Sequence, residues 1–205
     1  MIREATADDP LRLGVLVSGA GTNLQALLDA FNAHPAVARV ACVASTRPGV
    51  RALDRAAAGG VDAAVFPRDG DPAGRDVRLA DWLDTHRVEL VVCAGWLGLL
   101  TDSFLARHVA INVHPSLLPA FPGMSAPADA LAAGVRITGV TVFLVDGGLD
   151  SGPILLQDTV PVHYDDDVGA LLDRLHEVEH RLLVAAVTLM ASDRVTVVGR
   201  KARVA

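Results

Sequence analysis

The chain has 205 residues, 51% of them hydrophobic but only 4% aromatic, and a formal net charge of −6. That length suits one domain, and a core of Val, Leu, Ala and Ile is the usual material of buried parallel strands under helices. The acidic balance, without basic runs, argues against a nucleic-acid or anionic-membrane surface, so any phosphate bound here must be held locally.

The opening residues, MIREATADDP, carry acids where a secretory signal would carry its apolar stretch. A cytoplasmic protein is expected, with residues 1–10 disordered or extended. Next, RLGVLVS, VACVAS, AAVFP and LVVCAG alternate with NLQALLDAF, VRALDRAAA and RDVRLADWLDTHR, whose apolar residues recur at helical spacing. This alternation predicts successive βαβ units and a parallel sheet. HVAINVH supplies a fifth strand. From Ile137 the pattern changes, and ITGVTVFLVD and PILLQDTVPV flank the Gly-rich GGLDSG as a hairpin-like excursion. Residues 165–191, acidic at their front, are expected to form a helix packed across the sheet, and VTVVG a closing strand. The expected fold class is therefore α/β: a Rossmann-like, mostly parallel twisted sheet flanked by helices, with an antiparallel excursion in the C-terminal part, all in a single domain.

Cys42 and Cys93 each end a Val-rich run and read as buried thiols rather than a disulfide or metal pattern. His108 and His114 have no matching carboxylate or thiolate at ligand spacing, so no metal site is expected.

Between the first strand and its helix stands SGAGTN, residues 18–23. Glycines there let the backbone turn tightly and aim N–H groups at an anion, with the helix N-terminus adding partial positive charge. Leu24 occupies the third glycine position of a dinucleotide fingerprint, and the second strand ends in Ser45-Thr46 rather than an acid for a ribose. The Walker lysine is absent too. A phosphate monoester fits better than a dinucleotide or nucleoside triphosphate, while a plain tight turn stays open.

In a strand, residues two apart project to one face, so Asn112 and His114 point together. Open α/β sheets bind ligands beyond the carboxyl ends of their strands. An amide donor beside an imidazolium can stabilise charge developing on a carbonyl oxygen, and the His can move a proton. That is equipment for acyl transfer without a covalent intermediate. No G-x-S-x-G elbow is present, and Ser116 follows a proline in an irregular stretch, which disfavours a serine hydrolase. A carboxylate would favour the charged imidazole, and Asp146 and Asp150 in VDGGLDSGP are the candidates, each also a natural turn former.

Together these residues resemble the folate-dependent formyltransferases. The resemblance runs from LVSGAGTNLQALLDA through AGWLGLL, INVHPSLLPAFPGM, TGVTVFLVDGGLDSGPIL and VPV to VEHRLLVAAV. It implies transfer of the formyl group of the co-substrate N10-formyltetrahydrofolate to the amine of N1-(5-phospho-ribosyl)glycinamide in purine biosynthesis. Small molecules would then be the partners, with no nucleic acid, membrane or metal, and the protein would be a monomer or homodimer. Carried over by position, Asn112 would hold the oxyanion, His114 would be the general acid, and Asp150 would favour its charged form and help move the amine proton. Gly21, Thr22 and Asn23 match the family's substrate-phosphate loop, and Glu179 a position contacting the nucleotide. Arg75 and the stretch Leu97, Gly98, Leu99 and Leu100 match positions lining the folate site, the stretch largely through backbone.

Three positions depart from the family pattern. Ser125 and Phe143 replace usual histidines, and Gly98 replaces a common Arg. GMSAP is also similar to a stretch of the methionyl-tRNA and sugar formyltransferases. Two further readings therefore stay open: a formyltransferase acting on another amine, such as an amino sugar nucleotide, and a non-catalytic folate- or nucleotide-binding relative.

Overall fold

The computed structural model describes residues 2–33, 36–68 and 70–204. Its first half follows the alternation expected from the sequence: β1 (Leu11–Val17), α1 (Thr22–Phe31), β2 (Ala38–Ser45), α2 (Arg51–Ala58), β3 (Asp62–Val65), α3 (Pro72–Thr85) and β4 (Leu90–Cys93). The short α4 (Asp102–Leu105) leads into β5 (Ala110–His114), and α5 (Ala126–Ala132) separates β5 from β6 (Ile137–Leu144) and β7 (Ile154–Pro161). α6 (Val168–Ala191), β8 (Val195–Val198) and β9 (Lys201–Val204) complete the described elements.

These strands form one sheet in the order β3-β2-β1-β4-β5-β6-β7-β9-β8. Pairing is parallel from β3 through β5, then antiparallel between β5 and β6 and between β6 and β7. The sheet is thus the mostly parallel, Rossmann-like arrangement with an antiparallel excursion at its C-terminal end. Period-2 alternation sends β1 side chains to two cores. Leu13, Val15 and Val17 join α1, α2 and α6 on one face, while Leu16 joins α3 and α4 on the other. Cys42 and Cys93 lie in the second core as free thiols, and burial pushes both up to about 12.

Helix starts follow capping chemistry. Asp71 caps α3 by accepting from the N–H groups of Ala73 and Gly74, with Pro72 at the first helical position. Asp167 caps α6 by accepting from Ala170 N–H. The leading segment is tied to the body: Arg3 pairs with Glu89 at 2.6 Å, and Ala5 N–H donates to the Ala191 carbonyl.

VTVVG forms the expected strand. It is the outermost strand, β8, paired antiparallel with β9, and β9 alone reaches β7 through Ile154 and Lys201. A left-handed Gly199 turns the chain between them.

The strand order reverses between β1 and its neighbours: the chain leaves β1 for β2 on one side and returns through β3 to β4 on the other. That switch point opens a crevice beyond the carboxyl ends of β1, β4 and β5.

Candidate active site

The crevice is a cleft of about 580 Å³. One end is the loop between β1 and α1. Gly21 has φ +72, and a Cβ there would lie 2.7 Å from the Ala52 Cβ, so both conformation and space demand glycine. The loop is braced from α2, because Ala52 N–H donates to the Gly19 carbonyl and Arg55 Nε donates to the Ala20 carbonyl. Gly21 caps α1 without a side-chain hydrogen bond, leaving first-turn N–H groups to face the cleft.

Behind that loop, Asn23 Nδ2 donates to Glu179 Oε2 at 2.9 Å, joining α1 to α6. Glu179 is buried, and desolvation holds its carboxyl above the usual range, opposed by the Asn23 amide and by His176 and His114. On the same helix His176 and His180 stack with ring centroids 6.3 Å apart, and burial pushes the His180 imidazole down.

At the centre of the cleft is the end of β5. Asn112 and His114 project together, opposite Phe143 and Thr141 of β6. The half-buried Asn112 amide makes no hydrogen bond to the described residues. His114 is buried, and its Nε2 donates to the Phe121 carbonyl at 2.8 Å. A carbonyl can only accept, so the neutral ring carries its proton on Nε2 and Nδ1 is the end free for chemistry. Asp150 Oδ2 stands 3.6 Å from Nδ1.

The turn after β5 is built to hold this geometry. Thr141 Oγ1 donates to the Ser116 carbonyl and accepts from Leu118 N–H and Gln157 Nε2. Ser116, fully buried, donates its hydroxyl to the Ala120 carbonyl, so it staples the turn and offers no nucleophile. Of the two candidate carboxylates, Asp146 accepts from Gly148 N–H and Ser151 Oγ within its own turn. Asp150, with φ +48, faces the imidazole instead.

The cleft brings together Asn112, His114 and Asp150, the Gly21–Asn23 loop, Glu179, and the Leu97–Leu100 wall. Arg75 is not among its lining residues. Its guanidinium is buried behind the wall, paired with Asp76 and donating to the Leu99 carbonyl. Phe143 borders the cleft, whereas Ser125 is exposed and not among its lining residues. His108, away from the cleft, packs on Phe104 beside Asp84, and burial pushes its imidazole down. Arg68 and Met124 line the cleft without any motif to mark them, and Met124 is 83% exposed. Nothing in an isolated Arg after β3 or a Met in a loop separates it from surface.

Comparison with known proteins shows what the chain is similar to. The chain is 48% identical over 200 residues to the phosphoribosylglycinamide formyltransferase of Mycobacterium tuberculosis, covering 94% of this chain and 91% of that protein. It is 41% identical to the trifunctional purine biosynthetic protein adenosine-3 of Drosophila pseudoobscura, over 88% of this chain but 14% of that longer protein. The crystal structure of glycinamide ribonucleotide transformylase 1 from Symbiobacterium toebii superposes with a TM-score of 0.92 at 41% identity, covering 95% of this chain and 94% of the other. The formyl transferase family profile matches residues 11–187, and the chain belongs to that family.

Proposed function

We propose that the protein transfers the formyl group of N10-formyltetrahydrofolate to the amine of N1-(5-phospho-ribosyl)glycinamide, a step of purine biosynthesis. The observation that carries this reading is the free Nδ1 edge of His114, held beside Asn112 and Asp150 between an anion-cradling loop and a wall of backbone. A phosphate monoester would seat on Gly21, Thr22 and Asn23, which places the nucleotide's amine toward His114 with Glu179 alongside. The formyl donor would lie along Leu97, Gly98, Leu99 and Leu100, with Arg75 supporting that wall from behind.

In the reaction the amine attacks the formyl carbon, and charge gathers on the former carbonyl oxygen. Asn112 donates to that oxygen through its amide, and His114 through a proton on Nδ1. Asp150, 3.6 Å from Nδ1, pairs with the imidazolium and receives the proton that the attacking amine sheds. As the carbon–N10 bond breaks, a proton returns to N10, so the exchange is proton-neutral overall. Phe143 brings an aromatic wall beside Asn112 where the family usually has a histidine, which keeps water from the oxyanion.

One formyltransferase domain over residues 1–205, as monomer or homodimer in the cytoplasm and without a metal, goes with this reading. No helix among the described residues is long and apolar enough to cross a membrane. The test is absorbance-monitored deformylation of 10-formyl-5,8-dideazafolate by purified protein, with and without glycinamide ribonucleotide. Turnover that needs the nucleotide and disappears in His114→Ala supports the assignment. Turnover with an amino sugar nucleotide alone would move the acceptor, and binding of both ligands without transfer would make the protein a non-catalytic relative.

A further inference from the structure

The turn that carries Asp150 runs from Asp146 to Gly152 between β6 and β7, and its foot is closed where Leu144 N–H donates to the Pro153 carbonyl. Within the turn, Asp146 Oδ1 accepts from Gly148 N–H and from Ser151 Oγ. Two hydrogen bonds reach the turn from elsewhere among the described residues. One is made by the Asp150 carboxylate itself, which accepts from Gly123 N–H. The other comes from Arg200, whose terminal guanidinium nitrogen donates to the Ser151 carbonyl at 2.8 Å.

Sheet register brings Arg200 to that carbonyl. Val198 pairs with Lys201, so Gly199 and Arg200 form the tip of the β8–β9 hairpin, with Gly199 at φ +60. Lys201 in turn pairs with Ile154 of β7, and those two strands run parallel. Arg200 therefore stands level with Pro153, and its side chain reaches back two residues further, to Ser151.

The contact falls next to a strained residue. Asp150 has φ +48, a left-handed backbone that a non-glycine residue keeps only where its surroundings hold it. Its successor is held twice, the Ser151 hydroxyl by Asp146 and the Ser151 carbonyl by Arg200. Gly152 then packs so closely on β6 that a Cβ there would lie 1.7 Å from the Leu144 carbonyl oxygen. The backbone on the C-terminal side of Asp150 is thus fixed, and its carboxylate is presented to His114 Nδ1 at 3.6 Å.

We propose that Arg200 is a positioning residue: from the tip of the C-terminal hairpin it holds the Ser151 carbonyl, and so keeps Asp150 in the left-handed conformation that presents its carboxylate to His114. Arg200 is not among the residues lining the cleft, so it acts through the turn. Its effect on catalysis rests on the formyl-transfer reading given above, whereas its hold on the turn does not.

The variants that test this are Arg200→Ala, Arg200→Lys, which keeps a cationic donor, and Arg203→Ala, which removes a cation from the same hairpin at a position paired with Thr196. Amide hydrogen exchange at Gly123 and Gly148, whose N–H groups are held by Asp150 and Asp146, reads the turn without any turnover. Deformylation of 10-formyl-5,8-dideazafolate with glycinamide ribonucleotide reads the reaction. Arg200→Ala is expected to speed exchange at both amides about fivefold and to lower kcat about fivefold, with KM for the nucleotide within about twofold and Tm within about 2 °C of wild type. Arg200→Lys should lie between the two proteins, and Arg203→Ala should match the wild type. Unchanged exchange in Arg200→Ala overturns the hold on the turn, and faster exchange with unchanged kcat overturns the positioning role. An equal fall of kcat in Arg203→Ala overturns it too, because the effect would then belong to the hairpin's charge. A wild-type protein without transfer, whose turn still loosens in Arg200→Ala, overturns the formyl-transfer reading and the catalytic role with it, while the hold on the turn stands.

Discussion

Asp150 Oδ2 is shared between two groups: it stands 3.6 Å from His114 Nδ1 and accepts from Gly123 N–H at 2.8 Å. The second contact ties the turn carrying Asp150 to the loop carrying Phe121, whose carbonyl holds the other edge of the same imidazole. One carboxylate thus sets both the charge beside the ring and the spacing of the two loops that clasp it.

Asp150→Asn separates those roles. Asn tolerates the left-handed backbone and its amide oxygen still accepts from Gly123, so the loops keep their spacing. The charge is lost. Turnover should fall at least ~100-fold with Tm within ~2 °C of wild type, since a positioned proton-transfer group contributes roughly 10²–10⁴-fold. Near-wild-type turnover in this variant, measured by donor deformylation, would remove Asp150 from the mechanism.

Gly21→Ala tests the loop. A left-handed non-Gly residue costs ~1–2 kcal/mol, and the new methyl would meet Ala52 Cβ at 2.7 Å. Thermal melts should drop by ~4–8 °C, at ~2–4 °C per kcal/mol for a chain of this size. Adding Ala52→Gly removes the Cβ contact but leaves the residue 52 Cα at 2.8 Å, so only a small part of the loss should be recovered. A Gly21→Ala protein as stable as wild type would show that the turn can take another shape.

The parallel half of the fold was legible because each buried strand is a nearly unbroken apolar run followed by a helical period, a pattern only βαβ units explain. β9 was not, since KARV carries two cations and gains its extended form from pairing with β8. α4 spans four residues, too few to display a period. Within the site, Asn112 and His114 could be paired from strand alternation alone. The choice between Asp146 and Asp150 could not be made that way, because both flank glycines in one turn. Arg75 shows the limit most clearly: resemblance placed it among the folate-lining positions, but whether a guanidinium faces a ligand or folds back onto the next residue's carboxylate is decided by rotamers that sequence does not display.

Thr141→Val removes a hydroxyl with three partners in a buried setting, while keeping a β-branched shape suited to β6. Leu118 N–H and the Gln157 amide lose an acceptor, and the Ser116 carbonyl loses a donor. Leaving such groups unsatisfied costs ~1–3 kcal/mol each in unfavourable cases, so a Tm loss of about 5–10 °C is expected. Turnover should fall as well, because the same turn leads to the Phe121 carbonyl that orients His114. A stability loss with turnover unchanged at low temperature would show that the network supports the fold without orienting the imidazole.

Glu179 links the site to pH. Burial raises its carboxyl above the ordinary 4.5, so the folded protein binds that proton more tightly than the unfolded chain. The stability this confers is complete below pH 4.5 and is lost as pH rises through the raised folded value. Above that raised value the buried carboxylate is a net cost, offset in part by the Asn23 amide at 2.9 Å. Glu179→Gln keeps an oxygen to accept from Asn23 and is neutral throughout, so it should raise Tm on the alkaline side of the folded value and lose that advantage toward pH 4. The same change removes the negative charge on the nucleotide side of the cleft, and KM for glycinamide ribonucleotide should rise about tenfold. A variant less stable on the alkaline side as well would mean that the ionised carboxylate is held by more than Asn23, and an unchanged KM would take Glu179 out of substrate binding.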